Sequence, residues 1–234
     1  MERRESFGLP EPTAPGFDTT IDSGHQIQDL TEKMPRLPTG RYRREELLGK
    51  GGMGEVYVAF DDQLERRVAL KRIRADLASV PRTLARFTEE ARVTAQLDHP
   101  NIVPVHDLGL DERGIPFYTM KEVQGRTLAQ VLEAEDRSLP DLLRIFIKVC
   151  DAVGFAHSRG VLHRDLKPAN VMVGEFGEVY VLDWGLAKQV EDASSTDALA
   201  NVPGLTAAAG TPSYMAPEQA QGRLADARTD VYLL

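Results

Sequence analysis

The octapeptide His163-Arg164-Asp165-Leu166-Lys167-Pro168-Ala169-Asn170 constrains this chain more than any other stretch. It places an Asp, a Lys and an Asn in one short loop whose proline cannot continue a helix. Before it, Leu142, Phe146, Val149, Val153 and Ala156 recur at steps of three and four, with Ser138 and Asp141 at the start and Gly160 at the end. That spacing predicts a buried, well-delimited helix. After it, the β-rich runs 171–173 and 179–182 flank Gly174-Glu175-Phe176-Gly177 and read as a hairpin. Asn170 precedes the first strand and Asp183 follows the second, so antiparallel pairing returns both side chains to the same end. Two converging hard-oxygen ligands suit Mg²⁺, which prefers carboxylate and carbonyl oxygen and keeps several waters.

Upstream, Gly49-Lys50-Gly51-Gly52-Met53-Gly54-Glu55-Val56 lies between two strand patterns, where missing side chains let backbone N–H groups approach phosphate oxygens. A dinucleotide-binding turn would open a helix directly after the glycines; a β-rich run follows instead, which favours a strand–loop–strand flap. In Arg67-Val68-Ala69-Leu70-Lys71 the strand period of two puts Ala69 and Lys71 on one face, a small apolar contact beside an ammonium. The following helical pattern, Leu84, Phe87, Ala91, Thr94 and Leu97, carries two candidate carboxylates for that lysine, and Glu90 is chosen over Glu89. The runs 102–108 and 116–123 read as two further strands, making a five-stranded antiparallel unit with one helix.

Composition limits the alternatives. A net charge of −8 and a pI near 5.2 argue against nucleic acid as the main partner. One cysteine, Cys150, allows no intrachain disulfide, sits in an apolar helical pattern and reads as packing. No secretory signal and no apolar run of about 18 residues occur, so the expected location is cytoplasmic, with a membrane anchor beyond Leu234 in a longer parent left open. Residues 1–40 carry Pro10, Pro12, Pro15, Pro35 and Pro38 among polar residues and read as a disordered, Pro-rich leader. The segment running to Thr211 is rich in Ala, Ser, Thr and Gly and is too long for a passive connection.

The glycine loop, Val68-Ala69-Leu70-Lys71, the octapeptide, Asp183-Trp184-Gly185 and Ala216-Pro217-Glu218 stand in the order and spacing of the protein-kinase signatures. From about Tyr42 to Leu234 the chain resembles a bacterial, eukaryotic-like serine/threonine protein kinase. The resemblance implies an α+β, bilobal fold with an N-lobe at 41–123 and a mostly helical C-lobe at 124–234. It implies ATP and Mg²⁺ (or Mn²⁺) as cofactors, protein Ser/Thr hydroxyls as substrates and autophosphorylation of the activation segment. Asp165 would accept the hydroxyl proton, Lys167 would steady the transferring phosphoryl group, Asn170 and Asp183 would hold the metal, and Lys71 with Glu90 would grip the α and β phosphates. Adenine would lie among Leu48, Val56, Ala69 and Met172, beside Met120 and the backbone of Lys121 and Val123, under a loop closed by Gly49, Gly51 and Gly54. Thr211 would bond Asp165 and Lys167, and Arg164 would pair with a phosphate on the activation segment, first at Thr206, then at Ser194, Ser195 or Thr196.

Two departures bear on activity. Trp184 replaces the usual Phe and would pack beneath the Glu90 helix against His163. Residues 228–234 resemble only the opening of the long C-lobe helix, so the chain is expected to be part of a longer kinase, with Asp230 steadying the backbone at His163 and Arg164 and with the usual Arg partner of Glu218 missing. The competing reading is a nucleotide-binding pseudokinase or docking fragment; a small-molecule phosphotransferase is weaker, because 210–218 resembles a peptide-positioning segment.

Overall fold

The computed structural model describes residues 23–38, 40–184, 188–189 and 212–234. Its first lobe is a five-stranded antiparallel sheet of β1 (Tyr42–Lys50), β2 (Gly54–Asp61), β3 (Arg66–Ile73), β4 (Val105–Leu110) and β5 (Pro116–Lys121), ordered β1-β2-β3-β5-β4. The helix α2 (Pro81–Gln96) lies on one face, where Phe87 and Ala91 pack with Ile73 and Tyr118. The opposite face gathers Ala59, Val68, Leu70 and Phe117. These strands alternate β-branched and aromatic residues at period two, so each face has its own apolar set.

Residues 23–38 differ from the expected leader. Ser23–Glu32 forms a helix, α1, and the chain after it lies along the sheet edge. Met34 is buried with Leu84 and Leu110, and Ile27 and Leu30 pack against them. Burial of this three-residue stripe offsets the ordering cost that the prolines and polar residues suggested would go unmet.

The second lobe centres on α4 (Leu139–Ser158), capped by Ser138, whose hydroxyl accepts the Asp141 N–H, and ended by Gly160 at φ +72°. Its core face is Ile145, Val149, Ala152, Val153 and Ala156; Phe146, expected inside, is 43% exposed, because Ile145 keeps the better 3.6-residue phase with Val149. The hairpin β8 (Val171–Gly174) and β9 (Val179–Val181) forms as expected and gains a third strand, β6 (Gly125–Thr127). Short α3 (Leu128–Ala134) follows β6 with a capping box from Thr127 and Gln130. Strand β7 (Val161–Leu162) pairs with β10 (Lys188–Gln189), and α5 (Pro217–Ala220) and α6 (Ala227–Leu233) complete the described chain. Among the described residues no helix is long and apolar enough to cross a membrane.

Candidate active site

Register brings the first group together. In the β2–β3 pairing Val56 faces Lys71, and in β3–β5 Ala69 faces Met120 while Lys71 faces Tyr118. The Lys71 ammonium donates to Glu90 Oε1 and, at 3.1 Å, to Asp183 Oδ1. Tyr118 donates its hydroxyl to the same Glu90 oxygen at 2.6 Å. Glu90 is 2% exposed, whereas Glu89 faces solvent, so α2 presents Glu90 to the lysine. Burial pulls the Lys71 ammonium down, but Tyr118, Glu90 and Asp183 outweigh it and hold it well above the usual lysine value. Surrounding protein pushes the Asp183 carboxyl up, yet the charge and hydrogen bond of Lys71 leave it below the ordinary aspartate range.

Glycines of the β1–β2 turn serve two purposes. A Cβ on Gly49 or Gly52 would meet nothing within 4 Å, and on Gly51 only the Gly54 carbonyl at 3.6 Å, so the space over the turn is open. A Cβ on Gly54 would fall 2.7 Å from the Arg72 carbonyl, so that glycine is needed for close packing on β3. Leu48 is 55% exposed, and Val56, Met120, Val123 and Met172 are only partly buried, while Ala69 is buried. The Lys121 N–H is used by the Pro104 carbonyl, whereas neither backbone group of Val123 has a hydrogen-bond partner among the described residues.

The octapeptide forms the second group. Asp165 Oδ2 accepts from Lys167 Nζ at 2.8 Å and from Asn170 Nδ2 at 3.3 Å, and its carbonyl accepts from Asn170 Nδ2 at 2.9 Å. Lys167 and Asn170 thus converge on one oxygen of a partly buried carboxylate. His163 is fully buried; its Nδ1 accepts the Asp165 N–H, and its Nε2 lies 3.0 Å from the Leu182 carbonyl. Arg164 sits at φ +68°, and the buried Asp230 carboxylate accepts the N–H groups of His163 at 2.8 Å and Arg164 at 2.7 Å. Asp230 also lies 2.7 Å from His157 Nε2, and Gln219 donates to the Arg164 carbonyl at 2.7 Å. These bonds over-determine a backbone conformation that costs about 1–3 kcal/mol for a non-glycine residue.

The hairpin joins the groups. The Leu182 N–H donates to the Asn170 carbonyl at 2.8 Å, carrying Asp183, at φ +62°, to the same end as Asn170. With its Nδ2 engaged by Asp165 and its backbone carbonyl by Leu182, Asn170 has its side-chain Oδ1 for a ligand. Asp183 is about half exposed and lends one oxygen to Lys71. Among the described residues no group of three or more His, Cys, Asp or Glu could hold a metal. An Asp and an Asn still fit Mg²⁺, which is typically held by one or two carboxylates together with substrate phosphates.

Trp184 is 1% exposed, its ring 4.7 Å from that of His163 and in the same cluster as Val93 of α2 and Leu97 at the C-cap of that helix. Its indole N–H has no partner among the described residues. Glu218 accepts the Thr229 hydroxyl at 2.6 Å, so its carboxylate has a neutral partner. Thr211, Thr206, Ser194, Ser195, Thr196 and Gly185 lie outside the described residues. Tyr118, His157 and Gln219 are participants that the sequence reading missed. Tyr118 was within reach, because period two puts it on the face of Met120.

Residues 42–234 match the family model described as "Protein kinase domain". The chain is 43% identical over 216 residues to the serine/threonine-protein kinase PknD of Protochlamydia amoebophila, covering 82% of this chain and 22% of that protein. It is 43% identical over 202 residues to the probable serine/threonine-protein kinase SCO3848 of Streptomyces coelicolor, covering 85% and 29% respectively. It therefore spans roughly a quarter of the length of these curated relatives. The crystal structure of the M. tuberculosis PknI kinase domain superposes with a TM-score of 0.61 at 30% identity, covering 84% of this chain and 70% of that one.

Proposed function

We propose, since the chain belongs to the protein kinase domain family, that the protein containing it transfers the γ-phosphate of ATP to serine and threonine hydroxyls of proteins, in the cytoplasm, with Mg²⁺. One observation carries this reading. Lys71, Glu90 and Asp183 form a connected charge cluster that spans both lobes, next to an Asp165 held by Lys167 and Asn170.

Asp165 has one oxygen held by Lys167 and Asn170, and its other oxygen is the base for the incoming hydroxyl proton. Lys167 places positive charge beside that base, where charge on the transferring phosphoryl group is stabilised. Lys71, kept protonated by its acidic partners, grips the α and β phosphates. Asn170 and Asp183 would hold the divalent ion, which would supply positive charge to neutralise the phosphates of the nucleotide. The base of ATP slots between Ala69, Val56, Leu48 and Met172, with Val123 supplying backbone hydrogen bonds past Met120 and Lys121. The N-lobe is assigned to 41–123 and the C-lobe to 124–234. The Arg164 guanidinium, whose buried Nε has no partner among the described residues, is the group for a phosphate placed by autophosphorylation, first at Thr206; Thr211 is assigned to the Asp165–Lys167 pair.

The test is transfer of labelled γ-phosphate from ATP with Mg²⁺, by the full-length protein, to a basic protein and to itself. Asp165→Asn is expected to lower the rate about 10²–10⁴-fold. Nucleotide binding without transfer refutes the assignment and favours a nucleotide-binding pseudokinase, the reading that Trp184 in place of Phe motivates, whereas transfer undiminished in Asp165→Asn refutes Asp165 as the base.

A further inference from the structure

We propose that residues 23–38 form a built-in strap that seats α2, with Met34 as a positioning residue for Glu90. The proposal rests on the kinase reading only for its consequence, since Glu90 acts on Lys71.

Helix α2 has two attachments to the sheet. Its middle is held by Phe87 and Ala91 against Ile73 and Tyr118. Its first turn has Pro81 at the helix start, which suits that position, but Val80 at the N-cap offers no side-chain hydrogen bond and no acidic residue stands in the first turn. Such an end leaves N–H groups without a local acceptor and frays unless tertiary contacts hold it. The contact it has is Leu84, which is fully buried against Met34 and Leu110, with Ile27 and Leu30 of α1 closing the cluster. Met34 thereby wedges between α2 and the edge strand β4.

The backbone fastens the wedge independently. The Leu110 N–H donates to the Pro35 carbonyl at 3.1 Å, and Arg36 bridges Leu110 in parallel, so the strap covers the outer edge of β4. At Gly109 a Cβ would come 2.6 Å from the Pro35 carbonyl and 2.8 Å from Leu37 Cγ. Gly109 has a normal φ, so it is the strap lying on β4, and not turn geometry, that makes a side chain there too large. Two separate sites, an apolar wedge and a glycine vacated for it, thus hold one segment against the helix that carries Glu90.

Hydrogen–deuterium exchange on the full chain tests this without requiring turnover. Met34→Asp and Gly109→Ala displace the strap by different routes, whereas Met34→Leu keeps the wedge. The first two are expected to speed exchange at the amides of residues 84–90 by about tenfold or more, equivalent to about 1.4 kcal/mol of local stability, and Met34→Leu to leave it unchanged. In the transfer assay the same two variants raise KM for ATP, and Met34→Leu does not. Exchange in α2 within about twofold of the unsubstituted chain in both disruptive variants overturns the proposal, as does acceleration spread equally over β3 and β5. Absence of phosphate transfer by the unsubstituted protein would sink the kinase reading alone, because exchange in α2 still reports on the wedge.

Discussion

Replacing Asp230 by Asn tests whether the octapeptide is held from below. The carboxylate is fully buried, with one oxygen accepting the Arg164 N–H at 2.7 Å and the other accepting the His163 N–H at 2.8 Å and lying 2.7 Å from His157 Nε2. An amide has a single acceptor oxygen, so its NH₂ must face at least one backbone N–H. The less costly orientation gives up Arg164 and leaves a buried donor unsatisfied, about 1–3 kcal/mol. The surviving bonds change from charge-assisted to neutral, losing about another 1–2 kcal/mol. The total of about 2–5 kcal/mol is a large share of the 5–15 kcal/mol that stabilises a typical domain. Arg164, released at φ +68°, then relaxes and carries Asp165 with it. Urea unfolding followed by tryptophan fluorescence reads the stability, since Trp184 lies against His163, and phosphate transfer reads the site. A loss below about 1 kcal/mol with transfer unaltered would show that the Asp230 bonds do not set the geometry of the loop.

Three further outcomes follow from the same structure. Lys71→Met leaves Glu90 buried with only Tyr118 as donor and is expected to cost about 3–5 kcal/mol in urea unfolding, most of which Lys71→Met with Glu90→Gln recovers; equal losses in the single and double variants would refute the pairing. Trp184→Phe removes an unsatisfied buried N–H while giving up part of a ring, so it is expected to cost less than about 1 kcal/mol, against about 3–5 for Trp184→Ala; a Phe variant as damaged as Ala would mean that the indole N–H has a partner. Burial and its hydrogen bond to Asp107 push the Tyr42 hydroxyl up to about 12, from an ordinary value of 10.0. A raised folded pKa contributes stability that is complete below pH 10 and lost as pH rises toward 12; the linkage ceiling of about 2.7 kcal/mol falls to about 1 after solvent screening. Tyr42→Phe should abolish that alkaline slope in chemical denaturation.

What the sequence disclosed depended on how local each signal was. Long periodic elements such as α4, and turns with their own chemistry such as Gly174 to Gly177, read directly. Glu90 was separable from Glu89 by helix phase. Strand β6 is three residues long and exists only by pairing with β8, so no local pattern marks it. Ile27, Leu30 and Met34 are spaced by three and four, a legible stripe; proline density outweighed it, because the acceptor for that stripe, Leu84 with Leu110, lies 50 to 80 residues downstream.

The site itself is built from long-range pairs: Lys71 with Glu90 across 19 residues, Lys71 with Asp183 across 112, and Asp230 with the His163 backbone across 67. No helix or strand propensity encodes such pairs, so they surface in sequence only as separate short motifs in a fixed order. The two strained non-glycine residues beside the site, Arg164 and Asp183, show what those pairs accomplish. Asp230 and Gln219 hold the backbone of the first, while Lys71 and the Leu182–Asn170 bond hold the second. Strain at each is tolerated because partners from elsewhere in the chain fix it. Loosening α2 at Met34 and cutting the bonds of Asp230 therefore act on opposite ends of one assembly. The first should spare the Asp165 loop and the second should spare the Lys71–Glu90 pair, so exchange at α2 and at residues 163–165 should respond separately.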